Sequence, residues 1–411
     1  MRVLNLTYTD VLSGAGIATM RLHFALRNAG VDSTMMVMRK YSAHESIETT
    51  GSKLAFSSCA IRQMATKRIL GLAGARRGET LSANFFPTGL HRTINRIAPD
   101  VVHLHWVGAE MIQIEEVRKI KCPIIWTLHD EWAVIGLEHY SPVPVEFREI
   151  AGVQEGERSK AFIRLDNWNR ARKKLSWQAK QPQFVAPSRW LSMRANDEMA
   201  GVVPPASTIP NTVPLHIFRP ISKKEARHQL ELPEKDIIVA FGAVAGTSDP
   251  RKGYFLLRKA LERVVDSVGA KNLTFLVFGN SGRVSELIPN LRCRFSGVIN
   301  SADRLAYHYA AADVFVCPSL QENLPNTVAE AISCGTPCVG FSIGGLSDLI
   351  DHGENGYLAR PFDASDLAHG IETVLGLPDA ARRSARTKSL EVLAGERVAA
   401  SYQALYKQGL S

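Results

Sequence analysis

Short, near-continuous apolar runs recur along this chain, each followed by a polar turn and an amphipathic stretch, and they fall into two separate series. The first holds VLNLTY (3–8), VVHLHW (101–106), IIWTLHD (124–130) and Phe184-Val185-Ala186. The second holds IIVAFGA (237–243), LTFLVFG (273–279), CRFSGV (293–298), DVFVCPS (313–319) and TPCVGFS (336–342). A strand that alternates apolar and polar residues has one wet face. A strand that is apolar throughout is covered on both faces, as in a parallel sheet with helices on either side. The expected fold class is α/β, with two Rossmann-like doubly wound domains.

Two such series need a long chain, and 411 residues exceed what one hydrophobic core usually supports. Pro204, Pro205, Pro210 and Pro214 lie between the series and mark a linker. The expected division is a first domain over 1–205, a second over 206–390, and a C-terminal helix over 391–411 placed back on the first domain. Open parallel sheets bind ligands at the carboxyl ends of their strands. The active site is therefore expected in a deep cleft where the two sheets face one another.

Hydrophobic residues at 45% and charged residues at 22% are ordinary globular values. No run approaches the roughly 20 apolar residues needed to span a bilayer, and MRVLNLTYTD turns polar too soon for a secretory segment. These features predict a soluble or peripheral protein that stays in the cytoplasm. Cys59, Cys122, Cys293, Cys317, Cys334 and Cys338 are scattered, without CxxC pairs or histidines at zinc spacing, and read as buried thiols. The formal charge of +9 suits acidic partners, among which nucleic acid, anionic lipid headgroups and nucleotide diphosphates all qualify. Arg164, Arg170, Arg172, Lys173, Lys174, Lys180, Arg189 and Arg194 share one segment with Trp168, Trp177 and Trp190. That segment reads either as a solvated helical face or as a contact for a membrane or a phosphorylated acceptor.

The loop Ser13-Gly14-Ala15-Gly16 follows the first apolar run and opens a helical stretch that Gly30 ends. It does not continue to the third glycine of a dinucleotide fingerprint, which argues against a nicotinamide oxidoreductase. More informative is QENLPNTVAEAISCGTPCVGFSIGGLSDLI (321–350), with Glu322 in a loop and Glu330 eight positions later in the first turn of a helix. Thr327 is the expected N-cap and Gly335 the expected residue past the helix end. The amino end of such a helix offers free N–H groups and partial positive charge, which suit a diphosphate. Glu330 has two readings, since Thr327-Val328-Ala329-Glu330 also fits a capping box. Glu322 sits where an ionised carboxylate can accept hydrogen bonds from sugar or ribose hydroxyls. His129 ends an apolar run beside Asp130 and either orients a loop or touches substrate, while His103 and His105 alternate onto one strand face and read as structural.

This stretch resembles the E-x7-E signature of the family 4 (group 1) retaining glycosyltransferases, with Glu322, Leu324-Pro325, Glu330 and Gly344-Gly345 at the matching positions and Asp348 where a glutamate is usual. IPNTVPLHIFRP (209–220) is similar to the family's interdomain segment, DPRKGYFLL (249–257) to its basic loop, and NGYLARPFDASDLAHGI (355–371) to the segment before its final helices. HLHW and WTLHDEW look like the exopolysaccharide and colanic-acid branch of that family. One departure is Phe241-Gly242-Ala243, where the family often carries a Gly-Arg pair; Arg251 is the candidate to replace that arginine.

The resemblance implies a GT-B fold and transfer of a hexose from a UDP- or GDP-sugar to a saccharide or lipid-linked saccharide acceptor, with retention of configuration, in surface polysaccharide synthesis. No cofactor and no metal are expected, and nucleic acid is not an expected partner. An anionic membrane surface at the inner face of the plasma membrane is. Carried over by position, His129, Glu322 and Lys252 are the catalytic candidates. Arg251, Lys252, Glu322, Asn323, Leu324, Pro325, Asn326, Thr327 and Glu330 are the donor-binding ones, and Gly14, Ala15 and Gly16 form the acceptor or phosphate loop. Lys252 and a helix amino end can stabilise the charge that grows on departing phosphate oxygens without a metal. The competing readings are a sugar-nucleotide epimerase on the same fold and a non-catalytic carbohydrate- or nucleotide-binding protein.

Overall fold

The computed structural model describes residues 1–51, 53–76, 78–143, 157–243, 249–279 and 291–410, with the backbone alone at 53–55. The chain divides into two compact units. Unit 1 comprises Met1–Pro142, Gly156–Thr212 and Gly395–Ser411, and unit 2 comprises Val143–Glu155 and Val213–Ala394.

Unit 1 is built on strands β1 (Arg2–Thr9), β2 (Asp32–Arg39), β3 (Ile47–Thr49), β4 (Val101–Leu104), β5 (Ile124–Thr127), β6 (Gln183–Ala186) and β7 (Ser207–Thr208). They form one parallel sheet in the order β3-β2-β1-β4-β5-β6-β7. Between them run helices α1 (Gly14–Asn28), α2 (Lys53–Leu72), α3 (Leu90–Ile97), α4 (Ile114–Val117), α5 (Lys160–Lys180) and α6 (Arg189–Glu198). Serines start three of them: Ser13, Ser159 and Ser188 each accept a backbone N–H of the first turn, so the orphan donors there are met. The core beneath α5 is aromatic, with Trp126 against Trp177 at 5.0 Å and against Phe184 at 5.9 Å, both edge-on.

Unit 2 repeats the plan with β8 (Ile237–Gly242), β9 (Leu273–Phe278), β10 (Arg292–Phe295), β11 (Val314–Cys317), β12 (Cys338–Phe341) and β13 (Gly356–Ala359) in the parallel order β10-β9-β8-β11-β12-β13. Its helices are α7 (Lys223–Gln229), α8 (Tyr254–Val268), α9 (Ala302–Ala311), α10 (Asn326–Ser333), α11 (Ala364–Leu375) and α12 (Ala380–Val392). Strands β9, β11 and β12 are buried along their whole length, which is why they read as unbroken apolar runs. The chain then returns to unit 1 as α13 (Gly395–Leu410). Buried Tyr402 and Tyr406 of α13 reach under the sheet, Tyr406 Oη lying 2.7 Å from His103 Nδ1 and Tyr402 Oη 2.8 Å from Thr127 Oγ1.

The basic segment around α5 and α6 is not a free cationic face. Arg172 donates twice to Glu115, at 2.6 and 2.7 Å, and is buried. Lys173 is 0% exposed. It donates to the carbonyls of Trp132, Ile135 and Gly136 and lies 4.1 Å from the centre of the Trp132 ring. Arg170 pairs with Glu198, Arg194 with Glu131, and Lys180 bonds the carbonyls of Ile120 and Cys122. Five of the eight cations therefore tie α5 and α6 to the sheet loops and to each other. Burial pushes the Lys173 ammonium well below the usual lysine range, and the charges of Asp166 and Asp130 oppose that shift. Lys173→Met roughly keeps the volume but removes the donor shared by three buried carbonyls, of which that of Gly136 keeps a second one in Asn169. We expect it to lower unfolding stability by about 2 kcal/mol or more, read by thermal and denaturant unfolding. An unchanged midpoint would show that the 132–136 turn does not depend on this lysine.

Candidate active-site loops

In unit 2 the connection order reverses between β8 and β11: β9 and β10 extend the sheet on one side, β12 and β13 on the other. Loops leaving the carboxyl ends of β8 and β11 therefore diverge from a topological switch point, the usual place for a ligand in an open α/β sheet. After β8, Asp249 caps a single turn over Pro250–Lys252 by accepting the Arg251 N–H at 3.0 Å. Asp249 also accepts from the Arg251 guanidinium, at 3.1 and 2.7 Å. Burial alone would raise the Asp249 carboxyl, but the hydrogen bond and charge of Arg251 outweigh it and hold the group below the usual range. Gly253 follows at φ 64°, where an added Cβ would sit 1.8 Å from the carbonyl oxygen of Pro318. Only glycine lets the two loops touch there.

The contact places Lys252 Nζ 2.5 Å from Glu322 Oε1, which also accepts from Ser319 Oγ at 2.9 Å. The Leu320 N–H closes the pair of loops by donating to the Arg251 carbonyl at 2.7 Å. From the other side Gly344, at φ 52°, would put a Cβ 1.8 Å from the Glu322 carbonyl oxygen, and the Gly345 N–H donates to the Asn323 carbonyl at 2.7 Å. Residues 322–323 are thus clasped between a basic turn and a glycine pair. Leu324 packs into the unit 2 core, a packing role rather than a ligand-facing one.

Helix α10 begins two residues earlier than its sequence suggests. Pro325 occupies the N-cap position with no side-chain cap, and Thr327 lies inside the helix rather than at its start. The capping-box reading of Glu330 fails with it. Instead, buried Glu330 accepts the hydroxyl proton of Tyr309 at 2.7 Å. Asn326 and Thr327, both half-buried, stand in the first turn, and Gly335 follows the C-cap Cys334 at φ 73°. Ser319, Tyr309 and Asp249 were not singled out from sequence. Only Asp249 left a local signal there, an Asp-Pro turn start.

In unit 1 the switch point lies between β1 and β4. Gly16 belongs to the first turn of α1, and a Cβ on it would meet the Thr9 carbonyl oxygen at 2.4 Å, so the loop Ser13–Gly16 is pressed onto the end of β1. His129 follows β5 and borders a small cavity with Ala18, His105, Thr127, Asn211 and Tyr402. Pro210 and Asn211 of the proline-rich segment line the same cavity and belong to unit 1. Burial drives the His129 imidazole down to about 4, with Asp130 opposing, so the ring is neutral near pH 7. Asp130 organises its own loop, accepting from Trp106 Nε1 at 2.8 Å and the Trp132 N–H at 3.0 Å and lying 2.6 Å from His139 Nδ1.

Comparison with known proteins places this geometry. Residues 235–376, which include Lys252, Glu322 and Glu330, match the family model described as glycosyl transferases group 1. The D-inositol 3-phosphate glycosyltransferase of Acidothermus cellulolyticus is 27% identical over 291 residues, covering 67% of this chain and 59% of that protein. The protein of the same description from Geodermatophilus obscurus is 27% identical over 326 residues, covering 73% and 66%. The chain thus spans about three fifths to two thirds of the length of these curated relatives. Among solved structures, Anabaena Alr3699/HepE in complex with UDP and glucose superposes over 99% of this chain and 100% of that one, with a TM-score of 0.69 at 15% identity. The fold is GT-B, two Rossmann-like parallel α/β domains. The matched model and both relatives are described as glycosyltransferases.

The clasp on residues 322–323 depends on Gly344. In Gly344→Ala the new Cβ meets a carbonyl oxygen and the residue is held in the left-handed region, so the loop must shift at a cost of about 1–3 kcal/mol. We expect a lowered melting temperature together with faster proteolysis or hydrogen exchange at 319–326. Wild-type values for both would mean that the glycine pair does not hold this loop.

Proposed function

We propose that the chain is a metal-independent, retaining glycosyltransferase that moves a hexose from a nucleotide-diphosphate sugar to a saccharide or lipid-linked saccharide acceptor in surface polysaccharide synthesis. The observation that carries this reading is the Lys252–Glu322 pair, set at a switch point beside the amino end of α10. A cation and free helix N–H groups suit a departing diphosphate, and carboxylates beside them suit hydroxyls of sugar and ribose. As the bond to the anomeric carbon breaks, negative charge grows on the phosphate oxygens, and Lys252 with the first turn of α10 opposes it. Glu322, shared with Ser319 and Lys252, accepts a sugar hydroxyl. Glu330, aimed by Tyr309, accepts the ribose hydroxyls. The anomeric carbon becomes oxocarbenium-like, and the acceptor attacks from the face the nucleotide leaves. The UDP and glucose held by Alr3699/HepE favour a UDP-sugar as donor.

A second acceptor class is favoured by the relatives, whose printed activity is on D-inositol 3-phosphate: a phosphorylated polyol. A thermal-shift screen across UDP-, GDP- and ADP-sugars identifies the donor, since a ligand that binds only the folded state raises its stability. Incubation with the donor and no acceptor separates transfer from epimerisation. Lys252→Ala and Glu322→Ala should each reduce transfer by at least about 100-fold in a folded protein, and Glu330→Gln should weaken nucleotide binding without unfolding. Near-wild-type turnover in either alanine variant removes that residue from the site, and unchanged nucleotide affinity in Glu330→Gln removes the ribose role.

Membrane contact is part of the same reading, on a narrower surface than the whole basic segment. The outer stripe of α5 carries exposed Arg164, Trp168 and Leu175 at positions that share one helix face. Each cation near an anionic surface adds roughly 1 kcal/mol, so binding is weak and salt-sensitive. In liposome flotation the protein should float with anionic vesicles at low salt, and Trp168→Ala with Arg164→Ala should abolish it. Equal binding to neutral and anionic vesicles, or to neither, rejects the docking.

A further inference from the structure

Two arginines of unit 1 lack the acidic partner that Arg158 and Arg172 have. Arg158 meets Glu79 at 2.7 Å and Arg172 meets Glu115 at 2.6 Å. Arg39 and Arg62, both half-buried, are in no ion pair among the described residues. Arg39 ends β2, its guanidinium 5.8 Å from the centre of the Tyr8 ring and 4.9 Å from that of Phe56, with the hydroxyls of Tyr41 and Tyr8 beside it. Arg62, on α2, donates to Ser58 Oγ at 3.2 Å and to the Glu110 carbonyl at 3.4 Å, both neutral acceptors. The Nε–H of each arginine is enclosed and meets no acceptor.

The two belong to one cluster. Burial raises the Cys59 thiol, and the charges of Arg62 and Arg39 both oppose that rise, so each cation stands within reach of the same sulfur. Gln63 Nε2 donates to Tyr8 Oη at 2.7 Å and to the Ala109 carbonyl at 2.8 Å, and the Tyr8 ring meets Trp106 edge-on at 5.8 Å. Tyr8 Oη accepts from Gln63, so its own proton is left to donate elsewhere. Two carboxylates lie in the same region, and neither offers an oxygen to either arginine. Glu110, 1% exposed, accepts from Thr66 Oγ1 at 2.8 Å and from the Phe85 and Phe86 N–H groups at 3.1 and 3.2 Å. Asp10 follows Thr9, the register partner of Arg39, and accepts the N–H groups of Tyr41 and Ser42 at 3.0 and 2.8 Å.

A half-buried cation short of acceptors is costly to keep, and a guanidinium fork matches the oxygens of a carboxylate or a phosphate. The cluster stands at the carboxyl ends of β1 and β2, beside the switch point between β1 and β4, where open sheets take ligands. Two cations favour the dianion of a phosphate monoester over the single charge of a carboxylate or a phosphodiester. We propose that Arg39 and Arg62, with the Tyr8 hydroxyl, bind a phosphate monoester, and that it is the phosphate of a phosphorylated polyol acceptor. The site stands on unit 1 alone, whereas its use for an acceptor rests on the transferase reading above.

The site is tested first without any sugar nucleotide. In the full chain with 15N-labelled arginine, inorganic phosphate at pH 7 should move the Nε–H signals of Arg39 and Arg62, each identified by its loss in Arg39→Gln or Arg62→Gln. By calorimetry, D-inositol 3-phosphate should bind at least about tenfold more tightly than inositol. Either glutamine variant should weaken that binding at least about tenfold, while Lys252→Ala leaves it within about twofold. Tyr8→Phe keeps the ring and loses the hydroxyl; it should weaken binding about threefold or more, and it carries the test where a glutamine variant does not fold. Unmoved arginine signals, equal affinity for inositol and its phosphate, or loss of binding in Lys252→Ala instead overturns the site. Dibutyl phosphate bound as tightly as inorganic phosphate overturns the choice of a monoester. In turnover, Arg39→Gln should raise the acceptor KM at least about tenfold with donor KM and kcat within about threefold. A folded variant that no longer binds phosphate but keeps its acceptor KM overturns the acceptor role. Phosphate binding as expected with no transfer from any sugar nucleotide sinks the transferase reading and the acceptor role with it, while the phosphate site stands.

Discussion

Lys252 and Glu322 meet because two backbones are pressed together, and the order of cause matters for what the pair can do. An ion pair that is partly open to solvent contributes little to stability, typically under about 1 kcal/mol, and these side chains are 27% and 13% exposed. The loops are brought into contact instead by Gly253 against the Pro318 carbonyl, by the Leu320 N–H on the Arg251 carbonyl and by the glycine pair at 344–345. None of those contacts uses the side chain of Lys252 or Glu322. Neither the loops nor Glu322, which Ser319 also holds, therefore depends on the ion pair alone.

Unit 1 solves a different problem, since its sheet buries polar groups that a parallel sheet does not need. Asn5, His103, His105 and Thr127 lie inside it, and each has its partner, some from distant chain: His103 and Thr127 meet Tyr406 and Tyr402 of the last helix. An unsatisfied buried polar group costs about 1–3 kcal/mol, so a polar line of this length is tolerated only because its members satisfy one another. Burial makes the charged forms of His103 and His129 costly, which shows in their depressed pKa values, about 3 and about 4.

The sheets were legible in the sequence because burial on both faces writes itself as unbroken apolar runs, and β9, β11 and β12 show this directly. Strands β3 and β7, of three and two residues, are too short to carry a period and were not legible. The glutamate pair and the basic turn were readable as motifs, yet the start of α10 was not. Thr327 has the chemistry of a cap, but Pro325, with φ already fixed, opens the helix before it. The basic segment misled for a related reason. Charge is visible in sequence and its partners are not, so Lys173, enclosed by three carbonyls, reads like its exposed neighbours.

The two units use one device at their switch points with different chemistry. In each, a glycine lets the turn after a strand lie on backbone that a side chain would strike: Gly16 on the Thr9 carbonyl, Gly253 on that of Pro318. In unit 2 helix α8 begins immediately beyond Gly253, and in unit 1 Gly16 already lies in the first turn of α1. The turn in unit 1, Ser13 to Gly16, has no charged side chain, whereas the turn in unit 2, Asp249 to Gly253, has three. A helix end alone attracts an anion by a fraction of a unit charge, and the added Lys252 supplies a full one. The turn of unit 2 is therefore the better match for an anion with several negative oxygens. The turn of unit 1 carries no charge of its own, so the two turns differ in electrostatics although they share the same close backbone packing.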